Sequence, residues 1–450
     1  MITVNLVNWS EKDPIEAISH AARVCYQGTA PEWGKTIDIK GRLFETGHHT
    51  TFQHVFCTFN IEGIAVGDVT FGLHLASPFY NSSQRSGRFC AGMFTNPDFE
   101  LLASYVKNYW PEVEGEVLIN VLEYLKDSID VYRSNIEKAA ERAKKFIREE
   151  RPNANDKYLE QNGPKIAQEQ LRVFVPIIFP TALEFTVNLS VLAALYRSAW
   201  SPVMKDVTEK MVGLVLRKWP GLDFMFERQE NPGFLFPAVR GYVGLERVVK
   251  KPYIKLISSG EFNSFVRPET EDLHPIDLLH FSPWLMDNNT SAIETHIEIS
   301  IATMGQDQRH RTVRRSQPYF TGGFYLPPIP DSLGLEKEAM QLMERWHFLI
   351  MKKIPPTLAH ILAPYGAMVG YKRSASYNAA IHELGKRLCW CAQEEIYHLA
   401  RTLRRQLKKH PIVNVMSPNC VLTGKCGEGV RYCGRDLTRL KNDPFPERKV

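Results

Sequence analysis

One order of features occurs twice in these 450 residues, and a chain built that way is constrained to fold as two related units. In the first half, GHHTTFQHVFCTFNIEG runs from Gly47 to Gly63. Val55, Cys57, Phe59 and Ile61 alternate there with polar neighbours, the period of a half-buried strand. In the second half, NNTSAIETHIEISIATM runs from Asn288, and Ile297, Ile299 and Ile301 alternate with His296, Glu298 and Ser300. Each strand leads into a segment centred on a histidine, Leu73-His74-Leu75 and Arg309-His310-Arg311. Each half then has a strand-like run closing on a proline, LRVFVP to Pro176 and LAHILAP to Pro364. A helix follows, from Asn188 and from Asn378. The second is expected to be one long helix, with Leu384, Leu388, Ala392, Ile396, Leu399 and Leu403 as its apolar stripe. Arg387 and Cys391 lie one turn apart beside that stripe. The first half carries the longer helical insert, around residues 100 to 150. Proline and glycine cluster at 227–241 and mark a linker. The expected division is 1–235, 236–411 and a cysteine-rich tail, 412–450.

Composition agrees with folded domains. Hydrophobic residues make up 44% and charged residues 23%, enough for a sizeable core. Net charge is +5, too small to call for a nucleic-acid partner. The most apolar stretch, 173–196, contains Pro176, Pro180, Glu184 and Asn188. All four are costly in lipid, so a buried strand followed by a core helix is expected and no membrane span. The start, MITVNLVNWSEKDP, has neither the basic residues nor the apolar run of a secretory leader. With eight cysteines suited to a reducing compartment, a cytoplasmic location is expected. The basic run RTLRRQLKKH places cations at the C-terminal end of a helix, where the helix dipole favours them.

The run QDQRHRTVRRS, residues 306 to 316, contains four arginines and no lysine. Arginine presents a planar fork that matches phosphate and carboxylate oxygens in pairs. An anionic ligand is the expectation.

These motifs together resemble the flavin-dependent thymidylate synthases, the ThyX family, and the resemblance covers most of both halves. The first half keeps Gly47-His48-x-Thr50-x-Phe52-Gln53-His54, Ser86-Gly87-Arg88-Phe89 and Glu169-x-x-Arg172. It departs by Gln53 for the family's Glu and by Leu73 and Leu75 for the two arginines of Arg-His-Arg. The second half is the reverse. It keeps Gln306, Arg309, His310, Arg311, Arg387 and Ala392-Gln393-x-Glu395-Ile396, but has YFTGGFY in place of Ser-x-Arg-Tyr and His360 opposite Arg172. The losses are complementary. In the family each site is assembled between subunits, so one composite site is implied where the two copies meet, with Arg309, Arg311 and Arg387 facing Ser86, Arg88 and Arg172.

The resemblance implies an α+β fold, each half a mainly antiparallel sheet packed with long helices. It implies C5 methylation of dUMP to dTMP, with methylenetetrahydrofolate as carbon donor, reduced FAD as hydride source and NADPH as reductant. Alternatives are the same chemistry, methylation or hydroxymethylation, on another pyrimidine nucleotide, or a non-catalytic flavin- or nucleotide-binding homologue. Arg387, Ser86 and Arg88 are the implied catalytic group. Gln306, Arg309, Ser86, Gly87, Arg88, Arg172 and Arg387 are the implied nucleotide-binding set. His48, Thr50, Gln53, Arg309, His310, Arg311, Asn188 and Asn378 are the implied flavin set, with the Arg-His-Arg residues also able to meet folate. Ser86 is a positioning group, since the sequence places no base beside it. Two chains would make a four-domain homo-oligomer.

Five of the cysteines follow residue 388. Cys420, Cys426 and Cys433 lie within fourteen residues and suit a structural zinc site, with Cys389 or His398 as fourth ligand. The family resemblance says nothing about this tail.

Overall fold

The computed structural model describes residues 2–75, 79–90, 92–229, 247–260, 292–352, 354–429, 432–441 and 443–450. The expected linker lies outside these from residue 230 onward, as does the division at 235.

The duplication is visible in the sheets. In the first, β1 (Thr3–Trp9), β2 (Phe56–Ala65), β3 (Tyr80–Gln84) and β4 (Pro180–Asn188) lie in the order β1-β2-β4-β3, all antiparallel. The second contains β5 (Arg247–Val249), β6 (Tyr253–Ser258), β7 (Ile293–Ser300), β8 (Arg314–Arg315), β9 (Tyr319–Tyr325) and β10 (Ala367–Ala375). Its order β6-β7-β10 repeats β1-β2-β4, and β8 and β9 follow on the far edge of β10 where the first sheet has β3. Among the described residues, only its short β5–β9 pair is parallel. The alternation read in the sequence sets the faces: Val55, Cys57, Phe59, Ile61, Ile297, Ile299 and Ile301 are all buried. A one-residue slip of either strand would turn these side chains to solvent.

Helices fill the space between and around the sheets. The first-half insert comprises Phe99–Tyr109, the 36-residue Gly115–Glu150 and Asp156–Leu171. The last is capped by Asn155, whose side chain accepts from Tyr158 N. Glu336–Met351 and Pro356–Ile361 occupy the shorter middle of the second half.

Two expectations are corrected. The runs ending in Pro176 and Pro364 are helical turns, Arg172–Phe174 and Pro356–Ile361, and the strands begin only beyond the prolines. The reason is that the two prolines face each other across the halves as an antiparallel bridge. Proline lacks an N–H, so its neighbours make the bonds. Ile177 N donates to Ala363 O at 2.9 Å, Tyr365 N to Val175 O at 2.9 Å and Gly366 N to Val173 O at 2.8 Å. The contact is symmetric: Gly67 N donates to Ile177 O at 2.8 Å as Ala302 N donates to Tyr365 O at 3.0 Å. Gly67 permits the approach, because a Cβ there would sit 2.9 Å from Ile361 and 3.0 Å from Ile177.

The second correction concerns the long helix, which is two: Tyr377–Arg387 and Glu394–Gln406. Its apolar stripe is still buried at Leu384, Leu388, Ile396, Leu399 and Leu403. The intervening carbonyls are taken by arginines instead of by the helix. Arg88 Nη2 donates to Cys391 O at 3.2 Å, Arg151 Nη2 to Trp390 O at 3.3 Å and Arg448 Nη2 to Ala392 O at 2.7 Å.

One continuous core runs through both halves. Phe71 meets His360 edge-on at 4.4 Å, Phe174 meets Phe324 at 5.6 Å, and Tyr124 OH donates to Leu362 O at 2.8 Å. Among the described residues no helix is long and apolar enough to cross a membrane.

Candidate active site

The turn after β3 carries Ser86, Gly87 and Arg88. Arg88 N donates to Ser86 Oγ at 3.2 Å, and no histidine or carboxylate is hydrogen-bonded to that hydroxyl among the described residues, which fits a positioning group. Gly87 is buried, and an added Cβ would lie 3.0 Å from Arg172 Nη1. Gln168 clamps the turn from the helix Asp156–Leu171, its Nε2 donating to Gly87 O at 2.9 Å and Cys90 O at 2.8 Å. One helical turn of register then aims Glu169 and Arg172 at the same place.

Contacts from these residues cross to the second half. Arg88 pairs through Nε with Glu169 and reaches Gln306 Oε1 at 3.5 Å through Nη1. Arg172 Nη2 donates to Ala302 O at 3.1 Å and Gln393 Oε1 at 3.3 Å, and its guanidinium lies over the Tyr365 ring at 5.1 Å. Gln306 Nε2 donates to Gln393 Oε1, and Arg387 Nη2 donates to Gln306 O. Burial pushes the Arg387 guanidinium down to about 10, still fully charged at neutral pH.

The Arg-His-Arg segment follows the helix Ile301–Asp307 and is held from below. Asp307 is fully buried between Arg315 and Arg373, and Tyr371 OH donates to it at 2.8 Å. Burial opposes its charge, yet Arg315 and Arg373 hold the carboxyl well below the ordinary range. Arg315 Nη1 also donates to His310 O at 3.1 Å and Val313 O at 2.7 Å, fixing the segment's backbone. Arg373 is further paired with Glu383 at 2.7 Å. Burial, then Arg387, keep His310 well below its usual pKa, so its imidazole is neutral. It meets His382 edge-on at 5.4 Å. Arg311 lies over the Tyr80 ring at 4.6 Å and reaches Asn81 Oδ1 at 3.5 Å. Tyr80 is stacked on His74 at 4.8 Å. Burial, with Arg309 and Arg311 alongside, pushes His74 down to about 3, so it adds no charge.

The cluster is therefore cationic. The nearby carboxylates are committed to Arg88, Arg315 and Arg373, and among the described residues Arg172, Arg309, Arg311 and Arg387 have no carboxylate partner. Buried polar atoms are left over as well: among the described residues, Nε of Arg172, Arg311 and Arg387 and Nε2 of His310 have no hydrogen-bond partner. Such groups are costly to bury unmet, and together they suit an anionic ligand rich in acceptor oxygens.

The other expected flavin residues lie on or beside the turn His49–His54 and at the starts of two helices. His48, Thr50 and Gln53 are exposed on or beside the turn His49–His54. That turn packs on the helix Leu189–Arg197, with Ser190 Oγ donating to His49 O at 3.3 Å. Among the described residues no hydrogen bond joins the three to the arginine cluster. Asn188 caps that helix by accepting from Val191 N at 2.9 Å. Its counterpart in the second half is Ser376, which caps Tyr377–Arg387, and not Asn378. Asn378 is buried, and its Oδ1 has no partner among the described residues.

The position equivalent to Arg172 is closed. His360 is fully buried against Phe71, Trp200 and Phe320, with centroid distances of 4.4, 6.0 and 5.6 Å.

Among the described residues no group of three or more His, Cys, Asp or Glu side chains is gathered closely enough to hold a metal ion. His398 Nε2 donates to Arg448 O at 2.8 Å.

Sequence reasoning did not single out Gln168, Tyr365, His382, Arg373 or Arg448, none of which belongs to a motif whose spacing announces a ligand, and it took Asp307 and Arg315 only as members of the run 306–316. Glu169, Gln393 and Glu395 stood in quoted motifs, but their roles depend on contacts from distant segments. Glu395 accepts from Ser300 N at 2.7 Å, tying the second helix to the start of Ile301–Asp307.

The profile of the family described as Thymidylate synthase complementing protein matches residues 5–209 and 282–411. No curated protein matches the chain. Among solved structures, ThyX from Helicobacter pylori with FAD and dUMP aligns at 17% identity and a TM-score of 0.34, over 50% of this chain and 98% of that one. The UMP/dUMP methylase PolB from Streptomyces cacaoi, bound with 5-Br dUMP, aligns at 23% identity and a TM-score of 0.29, over 48% of this chain and 90% of that one. With the family profile covering well over half of its residues, the chain belongs to the Thymidylate synthase complementing protein family, that of the flavin-dependent thymidylate synthases.

Proposed function

We propose that the two halves form one composite site that methylates dUMP at C5 to give dTMP. The observation that carries this is the crossing of Arg88 and Arg172 to Gln306, Gln393 and Ala302. It unites the motif copies retained by each half within a single chain.

The unmet guanidinium and imidazole nitrogens fit the anionic groups of nucleotide and FAD. Arg88 and Arg172 are forks for the nucleotide phosphate or the uracil oxygens. Arg387, buried and charged, is aimed where negative charge would develop on the pyrimidine carbonyls as C5 becomes nucleophilic. Ser86 positions the nucleotide. Neutral His310 and the cations Arg309 and Arg311 offer contacts to flavin or folate. Bound FAD, reduced by NADPH, supplies the hydride and methylenetetrahydrofolate the carbon. His48, Thr50, Gln53 and Asn188 make no hydrogen bond to the arginine cluster among the described residues. They would meet flavin across an interface with a second copy, giving a four-domain assembly. The domain limits 1–235 and 236–411 and a cytoplasmic location complete the proposal.

The test is tritium release from dUMP labelled at C5, with FAD, methylenetetrahydrofolate and NADPH present. Release that Arg172→Ala and Arg387→Ala abolish supports the reading. No release, with FAD bound and tritiated UMP equally inert, overturns it.

A further inference from the structure

Residues 445–450 lie beyond residue 411, where the match to the family profile ends, yet they bond to both halves of the chain. The start of this segment is fastened to the second half. From the helix Glu394–Gln406, Arg401 Nε donates to Phe445 O at 2.6 Å, Tyr397 OH to Pro446 O at 2.8 Å and His398 Nε2 to Arg448 O at 2.8 Å. Its last residues are fastened to the first half. Lys449 N and Val450 N donate to Glu150 Oε1 and Oε2 at 2.7 and 3.3 Å, and Gln170 Nε2 donates to Lys449 O at 2.6 Å. Gln170 directly follows Glu169 and stands two residues before Arg172. It is buried, and its Oε1 accepts from Ile329 N at 2.8 Å. The segment is therefore a strap between the helix that carries Glu169 and the helix that follows Gln393.

One side chain leaves the strap for the turn beside the arginine cluster. Arg448 is buried, its guanidinium lies over the Tyr397 ring at 4.4 Å, and its Nη2 donates to Ala392 O at 2.7 Å. The next residue is Gln393, whose Oε1 accepts from Arg172 Nη2 at 3.3 Å and from Gln306 Nε2.

We propose that Arg448 is a positioning residue for the nucleotide: by holding Ala392 O it sets Gln393, and through Gln393 the places of Arg172 and Gln306. The effect on the nucleotide rests on the dUMP reading of the cluster; the hold on the turn does not.

The Ala392 carbonyl and the Gln393 nitrogen belong to one planar peptide unit. Fixing the oxygen therefore fixes the plane from which the Gln393 side chain departs. Arg88 and Arg151 hold the two preceding carbonyls, of Cys391 and Trp390, but only the Ala392 carbonyl is joined to Gln393 itself. A guanidinium makes that bond charge-assisted and so stronger than a neutral one. The strap is docked through its backbone and through Glu150 and Gln170, and none of those bonds uses the Arg448 guanidinium. Removing the guanidinium thus frees the turn and leaves the strap in place.

The full-length protein is compared with Arg448→Met, which keeps an apolar stem and loses the donors, with Arg448→Lys, with Gln393→Ala and with the Arg448→Met/Gln393→Ala double variant. Calorimetry gives the dUMP Kd, and amide exchange across 388–393 is followed without nucleotide. Arg448→Met should raise the dUMP Kd about tenfold, the loss of one charge-assisted hydrogen bond. Exchange should quicken in that turn and stay unchanged in β2 and β7. In the Gln393→Ala background the same substitution should change Kd by less than about twofold, because the two residues act in series. Arg448→Lys should recover most of the affinity and the slow exchange, since one carbonyl needs only one donor. Equal losses in both backgrounds, which a purely stabilising role would give, overturn the proposal, as does unchanged exchange in the turn of Arg448→Met. If the parent protein binds no dUMP, the nucleotide reading falls, and exchange in the turn, quickened in Arg448→Met and restored in Arg448→Lys or not, decides the positioning role alone.

Discussion

Arg172 Nη2 donates to Gln393 Oε1 at 3.3 Å, joining two residues 221 positions apart in the same chain. The contact is buried and sits beside the proline bridge about which the halves are related. Its consequence is topological. The arginines that each half has kept are presented to one another inside a single chain, so no exchange of elements between chains is needed to complete the cluster.

Complementation between mutants should therefore fail. Arg172→Ala and Arg309→Ala should each lower tritium release from dUMP by about 100-fold or more, the loss of one charged contact to the reacting ligand. Arg172→Lys should recover little, because an ammonium cannot reproduce the fork. Mixing the two alanine variants should restore nothing. Recovery on mixing would show that the site is built between chains.

Nucleotide stoichiometry should be one per chain. The place equivalent to Arg172 holds His360 in an aromatic surround, and the place equivalent to Arg309 and Arg311 holds Leu73 and Leu75. Calorimetric titration with dUMP should give a single site, lost in Arg88→Ala. Two sites per chain would contradict the closed pocket.

The duplication was legible because it rests on local periods and on motif order. The alternation of Val55 to Ile61 and of His296 to Ile301 sets the two central strands, β2 and β7, correctly. What was not legible lies in long-range contacts. No local signal breaks the helix at Leu388, where the apolar spacing continues unbroken; the break comes from Arg88, Arg151 and Arg448, which arrive from three other segments. The runs before Pro176 and Pro364 look like strands because both are rich in β-branched or aliphatic residues, yet their prolines meet each other instead of a sheet.

The floor of the Arg-His-Arg segment should be a stability hot spot. Asp307 accepts from Tyr371 and is paired with both Arg315 and Arg373. Asp307→Asn leaves two buried cations short of charge and should cost about 3–5 kcal/mol. The loss should appear as a lowered thermal midpoint together with weaker nucleotide binding, since Arg315 also fixes the His310 carbonyl. Tyr371→Phe removes one hydrogen bond and should cost about 1 kcal/mol. An unchanged midpoint in Asp307→Asn would refute the role given to this ion cluster.

Asp68 should make stability depend on pH in the opposite sense from a paired carboxylate. It is buried, receives hydrogen bonds from Tyr105 OH at 3.2 Å and Ser201 Oγ at 3.4 Å, and is pushed up to about 7 by burial. In the unfolded chain the same group titrates near ~4. Between those values the folded protein holds a proton that the unfolded chain has released, so folding is favoured at low pH. The contribution is complete below about pH 4, is lost as pH rises, and is gone above about 7. Asp68→Asn is neutral at every pH and keeps both hydrogen-bond partners. Relative to the parent it should be equally stable near pH 4 and more stable at pH 8, by about 2–4 kcal/mol. Thermal midpoints of the two proteins measured side by side across this range decide the matter. A difference that stays constant with pH would mean that Asp68 is charged in the fold and that its two hydroxyl partners offset its burial.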